Sequence, residues 1–187
     1  MQRKIRAFCG NEGSGKDYSC TRLIETMGFQ KVAFADPLRD IAFQVIGIPF
    51  EKGMKHYRKL KQTPLINDLT FRNMLENLGA AVRKYDEDFW AKAALKVIKD
   101  SPKNICLSDL RYYNEYAILK KFADENDIDF KLTFCDYHSE FYKEDNPHQS
   151  AALAAYLKKL GYKDQQYVKD IDMQSYAAIE KLPVQPK

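Results

Sequence analysis

The sequence lacks the features that mark membrane, secreted and metal-centred proteins. It has no run near the roughly 18 apolar residues of a membrane span, and its first residues, MQRKIR, lack the apolar core of a secretory signal. It has only three histidines, and its four cysteines form no CxxC pair, so neither a zinc centre nor a Ser-His-Asp site is indicated. We therefore expect a cytoplasmic protein without a membrane partner, in which the cysteines are small buried hydrophobic residues.

What is present is the composition of an ordinary globular protein. The 187 residues are 45% hydrophobic and 13% aromatic, which suits one compact domain. The net charge of +4 is mild, and residues 57–61 form the densest basic patch. Such a patch suits a nucleic acid, but it also suits a small molecule that carries several phosphates. Composition does not decide between these partners.

Strands and helices alternate along the chain. This alternation predicts an α/β fold with a parallel sheet and helices on both faces, whose ligands bind beyond the carboxyl ends of the strands. Residues 47–68, rich in Lys, Gly and Pro, show weak periodicity and predict an excursion from the core. Residues 136–148 predict a polar loop, and residues 166–170 an edge strand before a last helix near 173–181. The other predicted strands are 4–9, 31–35, 104–108 and 130–135, and the other predicted helices are 17–27, 38–46, 70–85, 86–99, 114–125 and 150–160.

The pattern G-x-x-x-x-G-K is matched by Gly10, Gly15 and Lys16, between a predicted strand and a predicted helix. In such a loop backbone N–H groups converge on phosphate oxygens, and the lysine reaches the β and γ phosphates. The usual Ser or Thr after the lysine is Asp17, which either holds Mg²⁺ or simply favours the helix N-terminus. The residues predicted to bind the nucleotide are Gly10, Gly13, Ser14, Gly15, Lys16, Asp17 and Tyr18.

Further charged residues follow the other predicted strands. Asp109 ends the third strand, where an acid anchors magnesium or caps a helix, and Arg111 follows it. Asp17 and Asp109 are therefore the predicted metal ligands. Arg39 follows the second strand, and Arg72 begins a helix, where its planar fork suits a substrate phosphate, although each residue by itself is more typical of a solvated surface charge.

Together these segments resemble phage-type deoxynucleoside monophosphate kinases and, more remotely, animal-type phosphomevalonate kinases. The resemblance covers roughly residues 4–123 in order, and the S-G-K-D form of the loop is a mark of both families. The segments that carry it are Ser14-Gly-Lys-Asp17, Ala35-Asp36-Pro37-Leu38-Arg39-Asp40, Arg72-Asn-Met-Leu-Glu-Asn-Leu-Gly79 followed by Phe89-Trp90, and Ser108-Asp109-Leu110-Arg111 with Glu115.

The resemblance implies a P-loop NTPase fold, a three-layer αβα sandwich of the nucleoside monophosphate kinase type. It implies a single domain over residues 1–187. Within it, a core of residues 1–46 and 69–135 would carry a monophosphate-binding excursion at 47–68 and a lid at 136–150. Residues 151–187 would form a C-terminal helical part.

The resemblance also implies the reaction: ATP, with Mg²⁺, would phosphorylate a (deoxy)nucleoside monophosphate to the diphosphate. Lys16, Asp109 and Arg111 would be catalytic. If a phage encodes the chain, the place of action would be the cytoplasm of the bacterial host. The residues expected at the acceptor are Asp36, Arg39, Arg72, Trp90, Arg111 and Glu115.

The sequence departs from these families in the predicted lid. Residues 136–150 contain no arginine, and Lys143 is their only basic residue apart from histidine. The alternatives are therefore a kinase with another acceptor, such as phosphomevalonate, and a nucleotide-binding module without transferase activity. A nucleic-acid partner at residues 57–61 is not expected, and the sequence leaves open whether the chain forms a homodimer.

Overall fold

The structure is a computed structural model that describes residues 2–66, 69–138, 152–168 and 171. It divides into two compact units, a core unit of Met1–Ala33 and Ile98–Lys187 and an inserted unit of Phe34–Val97. The described strands are β1 Lys4–Cys9, β2 Gln30–Lys31, β3 Pro64–Ile66, β4 Leu69–Thr70, β5 Ile105–Leu107, β6 Asp129–Phe134 and β7 Gln166–Val168. The described helices are α1 Lys16–Met27, α2 Asp36–Val45, α3 Phe50–Lys55, α4 Tyr57–Leu60, α5 Phe71–Arg83, α6 Phe89–Asp100, α7 Tyr113–Glu125 and α8 Ala152–Lys159.

The core unit is built on a five-stranded sheet in the order β2-β5-β1-β6-β7. The first four strands are parallel, which confirms the predicted α/β class. The prediction of a parallel sheet is wrong at one edge, because β7 pairs antiparallel with β6. The strand predicted at residues 31–35 is shorter and begins one residue earlier, although the Val32 N–H still donates to the Cys106 carbonyl at 3.0 Å.

Helices cover both faces of this sheet. Cys106 on β5 packs in one buried cluster with Cys20 of α1, and Cys106 is in register with Arg6 on β1. The ring of Phe130 on β6 contacts Tyr116 of α7, and Phe130 is in register with Ile5, the residue of β1 next to Arg6. Since successive residues of a strand point to opposite faces, α1 and α7 lie on opposite sides of the sheet.

Local sequence signals set the ends of the early helices. Gly28 adopts the left-handed conformation at φ 67° and donates its N–H to the Ile24 carbonyl, which ends α1 where the sequence predicts. Pro37 lies in the first turn of α2, where its missing N–H leaves no helix bond unmade. The predicted end of α1 is confirmed, whereas α2, Asp36–Val45, begins before the predicted start at residue 38.

The weak periodicity of residues 47–68 predicts no helix or strand, but the inserted unit forms regular structure in this segment. Two short helices, α3 and α4, occupy it and pack their apolar side chains on a buried cluster around Phe43 and Phe71. These two rings stack with centroids 5.0 Å apart. The abundant lysines of this segment therefore lie on helices with a buried apolar side.

All four cysteines are free and buried, as the sequence predicts. Burial raises the pKa of Cys135 to about 11 and raises that of Cys9 as well, so these thiols stay protonated at neutral pH. They contribute as small apolar side chains beneath the sheet's carboxyl edge.

Two predicted segments fall mostly beyond the described residues. The predicted lid is described only at residues 136–138, and the predicted last helix near 173–181 lies outside the described part. Among the residues that are described, no helix is long and apolar enough to cross a membrane.

A partly buried ion pair joins the first and fourth parallel strands of the sheet. Arg6 donates to the Asp129 carboxylate at 2.5 Å and to the Asp129 carbonyl at 2.6 Å. The Arg6 side chain is 14% exposed and that of Asp129 is 28% exposed, so the pair is partly shielded from water. The hydrogen bond from Arg6 lowers the pKa of the Asp129 carboxyl. The pair therefore stabilises the fold when Asp129 is ionised.

We expect Asp129→Asn to lower the free energy of unfolding by about 1–2 kcal/mol at pH 7, because charged hydrogen bonds contribute about that much. The lowered pKa means that this stabilisation is full above the ordinary carboxyl pKa of about 4 and is lost as the pH falls below it. Urea unfolding should give a smaller difference in the free energy of unfolding between the wild type and Asp129→Asn at pH 3 than at pH 7. As a control, Asp124→Asn removes the exposed pair with Lys120 and should cost less than about 0.5 kcal/mol. Equal losses in the two variants would contradict this expectation.

Candidate functional site

The glycine-rich loop connects the carboxyl end of β1 to the N-terminus of α1, which is the arrangement that a P-loop requires. Gly10 has φ 151°, and a Cβ at this position would meet the Cys135 carbonyl oxygen at 2.1 Å and Ser14 Oγ at 2.5 Å. Gly15 has φ 89° and forms the N-cap of α1. Both positions thus need glycine, the first because of close packing and the second because of its left-handed backbone. Ser14, between them, is fully buried.

Lys16 holds its ammonium against this loop. Its Nζ donates to the Asn11 carbonyl and lies 3.4 Å from Ser14 Oγ. Burial lowers the pKa of Lys16, and the positive charge of Arg111 lowers it further, while Asp17 opposes both. Lys16 and Arg111 are therefore close enough to act on each other electrostatically, and the loop gathers two cations where an anion would bind.

Asp17 accepts hydrogen bonds from residues of two neighbouring strands, one in β2 and one directly after β5. Its Oδ1 accepts hydrogen bonds from Lys31 Nζ at 2.8 Å and from Ser108 Oγ at 2.7 Å. The side chain of Asp17 is 79% exposed. Partial burial of its carboxyl group would raise the pKa, but the hydrogen bonds from Lys31 and Ser108 lower it below its ordinary value. Asp17 is therefore an ionised carboxylate at neutral pH, fixed at the joint between α1, β2 and β5.

Asp109 and Arg111 follow β5 at the same edge of the sheet. Asp109 is buried. Burial would lower the pKa of Lys31, but the hydrogen bond to Asp17 and the Asp17 charge raise it, and the negative charge of Asp109 adds to the rise. Glu115 is also buried, and its Oε2 accepts from the backbone N–H groups of Arg111 at 2.8 Å and Tyr112 at 3.1 Å. The carboxylate of Glu115 thus caps the start of α7 and fixes the backbone at Arg111. In the structure it is a positioning residue for the predicted catalytic arginine.

An aromatic residue borders the loop. A Cβ placed on Gly15 would lie 3.8 Å from the Cβ of Tyr137, whose side chain is 61% exposed. Tyr18, in the first turn of α1, is 70% exposed. The backbone beside Tyr137 is held by a bond from the Asp136 N–H to the Asp164 carboxylate at 2.7 Å. The rim of the loop thus presents exposed aromatic surface.

The donor set fits Mg²⁺ when oxygens from water or from a ligand complete the coordination. The described residues contain no group of three or more His, Cys, Asp or Glu that could hold a metal alone. Mg²⁺, however, is commonly bound by one or two carboxylates, water and the phosphates of a nucleotide. Asp17 and Asp109 supply two carboxylates at the sheet edge that carries the loop, so these residues fit a metal that arrives with phosphate.

The predicted acceptor residues of the inserted unit make contacts within that unit. Arg39 donates to Asp36 Oδ1 at 2.6 Å and lies over the ring of Tyr57, 4.9 Å from its centroid. Arg72 donates to Glu76 at 2.9 Å. Trp90, also expected at the acceptor, is buried, and its indole N–H donates to the Gly79 carbonyl at 3.2 Å.

The sequence did not single out Lys31, Tyr57 or Tyr137 as parts of a site. Lys31 stands at the start of a predicted strand, where a lysine is an ordinary edge residue. Tyr57 stands within a basic patch, and Tyr137 at the start of a predicted polar loop. No local signal in the sequence marks these three residues.

Comparisons with known proteins add little to this description. No family model matches the chain. Over 92 residues, 49% of this chain, it is 30% identical to the uncharacterized protein ORF77 of Ictalurid herpesvirus 1 (strain Auburn), and the match spans 33% of that relative's length. Among solved structures, a mutant APS kinase from Mycobacterium tuberculosis aligns with 85% of this chain and 96% of its own, at 16% identity and a TM-score of 0.38.

At that identity and TM-score, the function proposed for this chain depends on its own residues. These residues form an α/β fold whose central parallel strand runs through a glycine-rich loop into a helix, the defining unit of P-loop NTPases.

Proposed function

We propose that the chain transfers the γ-phosphoryl group of ATP to a (deoxy)nucleoside monophosphate. The observation that carries this proposal is the placement of the Lys16 ammonium against the glycine-rich loop, within electrostatic reach of Arg111. Two cations beside an array of loop amides suit the phosphates of a nucleotide better than any other common ligand.

In this reaction the bond between the γ phosphorus and its bridging oxygen to the β phosphate breaks. A new bond forms to an oxygen of the acceptor phosphate, and ADP and a nucleoside diphosphate result. The acceptor is already an anion, so no strong general base is required. Catalysis then depends on positioning and charge neutralisation, which Lys16 and Arg111 supply on the protein side.

Mg²⁺, when bound, would neutralise further negative charge on the phosphates. Asp17 and Asp109 would hold it, directly or through water. Glu115 would act by fixing the backbone of Arg111 rather than by touching the acceptor. The loop amides and the start of α1 would bind and orient the donor phosphates.

The acceptor would be bound by arginines, and the inserted unit supplies two candidates. Arg39 is held between the Asp36 carboxylate and the Tyr57 ring, and a preorganised guanidinium loses little freedom on binding a phosphate. Arg72 begins α5, whose N-terminus carries a partial positive charge. We propose these two arginines as ligands of the acceptor phosphate.

An acceptor panel tests the proposed function. The full chain would be incubated with ATP, Mg²⁺ and each of the deoxynucleoside and ribonucleoside monophosphates, and separately with phosphomevalonate, with products identified by mass. We expect a diphosphate product from at least one nucleoside monophosphate. Product from phosphomevalonate alone would change the acceptor class. ATP binding without product from any acceptor would identify a nucleotide-binding module and overturn the proposal.

A further inference from the structure

A lysine pairs with Asp17, one of the two acidic residues predicted to bind metal. Lys31 ends β2, and its Nζ lies 2.8 Å from Asp17 Oδ1, the oxygen that also accepts from Ser108. Asp109, next along the chain from Ser108, acts on Lys31 electrostatically. A positive charge is thus already present among the carboxylates at the carboxyl edge of the sheet.

The arrangement differs from an ordinary surface ion pair in how it is built. Its members come from three elements of the core unit, namely Asp17 from α1, Lys31 from β2 and Ser108 from the end of β5. Ser108 is buried and directs its hydroxyl to the carboxylate, so Asp17 Oδ1 is held in one place. Lys31 remains 43% exposed, so its flexible side chain can withdraw into solvent.

A P-loop of the usual form has a hydroxyl after the lysine and a carboxylate at the end of the neighbouring strand. Here a carboxylate follows Lys16, and the hydroxyl that contacts it belongs to Ser108 at the end of β5. Asp17 thus adds a second acid to a region that already contains Asp109. Two carboxylates attract a divalent cation even without phosphate, unless a positive charge offsets them.

We infer that Lys31 is a resident cation that neutralises Asp17, one of the two predicted metal ligands, and withdraws when a divalent cation enters with the nucleotide. Its effect is to keep the nucleotide-free protein from binding metal tightly. Lys31 is thereby a positioning residue, because it holds Asp17 in place without touching the substrate. This role rests on the proposed function, since it presupposes a divalent cation at this site.

The test measures the binding of Mn²⁺ alone to the full chain by the EPR signal of the free ion at fixed ionic strength. We expect Lys31→Met to bind Mn²⁺ at least about tenfold more tightly than the wild type, because one repelling charge beside the ion is removed. Lys120→Met is the matched control, since it also removes a lysine paired with an aspartate, Asp124. It should leave the affinity unchanged.

Two further variants identify where the gained affinity comes from. In the double variant Lys31→Met with Asp17→Asn, the gain should be lost, because the carboxylate that attracts the ion is gone. Lys31→Gln, which keeps a donor for Asp17 but no charge, should show the same gain as Lys31→Met and replaces it if that variant does not fold. Unchanged Mn²⁺ affinity in the folded Lys31 variant, or a gain that persists without Asp17, would overturn the inference.

The proposed function and the role of Lys31 fail in different ways. No product in the acceptor panel, with the Mn²⁺ gain present, overturns the proposed function and leaves Lys31 as the resident cation of a metal site. A product in the acceptor panel, together with equal Mn²⁺ affinities of the wild type and the Lys31 variant, overturns only the role of Lys31.

Discussion

Lys16→Met should lower kcat/KM for the proposed phosphoryl transfer by about 10²- to 10³-fold, the loss typical when one preorganised donor to a developing charge is removed. The wild-type ammonium is partly buried against the Asn11 carbonyl and Ser14, so the loop already holds it in the place where phosphate would bind. Methionine has nearly the same length and shape, so the loop should keep its form. An assay coupled to ADP release measures the rate, with the acceptor found in the panel.

The matched control for this variant is Lys99→Met. Lys99 belongs to the core unit but lies against the ring of Phe122, at 5.6 Å from its centroid. The control removes the same charge from the same unit and should change kcat/KM by less than about twofold. A Lys16→Met protein that is folded and retains wild-type kcat/KM would refute the proposed mechanism, whatever the acceptor.

Gly10→Ala should lower the free energy of unfolding by about 3 kcal/mol or more. Two costs add at this position. The new methyl group would overlap the Cys135 carbonyl, a backbone atom that cannot move aside without shifting β6, and overpacking of this kind costs about 1–3 kcal/mol. A non-glycine residue at φ 151° adds strain of about 1–3 kcal/mol. Urea unfolding with a fixed m-value measures the loss.

Gly28→Ala separates the two costs. Gly28 also has a positive φ, 67°, but a Cβ there meets nothing within 4 Å. We expect it to cost only about 1–2 kcal/mol, the strain of a left-handed backbone without crowding. If Gly10→Ala is no more destabilising than Gly28→Ala, the close packing between the loop and β6 is not as the structure has it.

The parts of the fold that follow local rules could be predicted from the sequence. β1, α1 and the stop at Gly28 each have a strong local signal, and they were placed within a residue. The direction of β7 has no such signal, because an edge strand after a helix can pair with its neighbour in parallel or antiparallel orientation. The sequence does not predict the helices α3 and α4, because charged residues interrupt their apolar pattern. Their apolar residues, Phe50, Met54, Tyr57 and Leu60, become recognisable as one packed side only beside Phe43.

The candidate site divides in the same way. The loop residues and the acidic strand end are contiguous motifs, so the spacing of Gly10, Gly15, Lys16 and Asp109 was sufficient to find them. The contact between Asp17 and Lys31 joins residues 14 positions apart, and that between Asp17 and Ser108 joins residues 91 positions apart. Such pairs depend on which strands are neighbours in the sheet. Sequence periodicity does not give that order.

The hydrogen bond between the Trp90 indole and the Gly79 carbonyl makes the tryptophan a spectroscopic label for the inserted unit. Trp90 is the only tryptophan in the chain, it is 2% exposed, and both residues lie in the inserted unit. Its emission spectrum therefore reports the solvation of that unit alone. The P-loop, in the core unit, is silent in tryptophan fluorescence. Circular dichroism, which records the helices of both units, is the complementary signal for deciding whether the two unfold as one cooperative system.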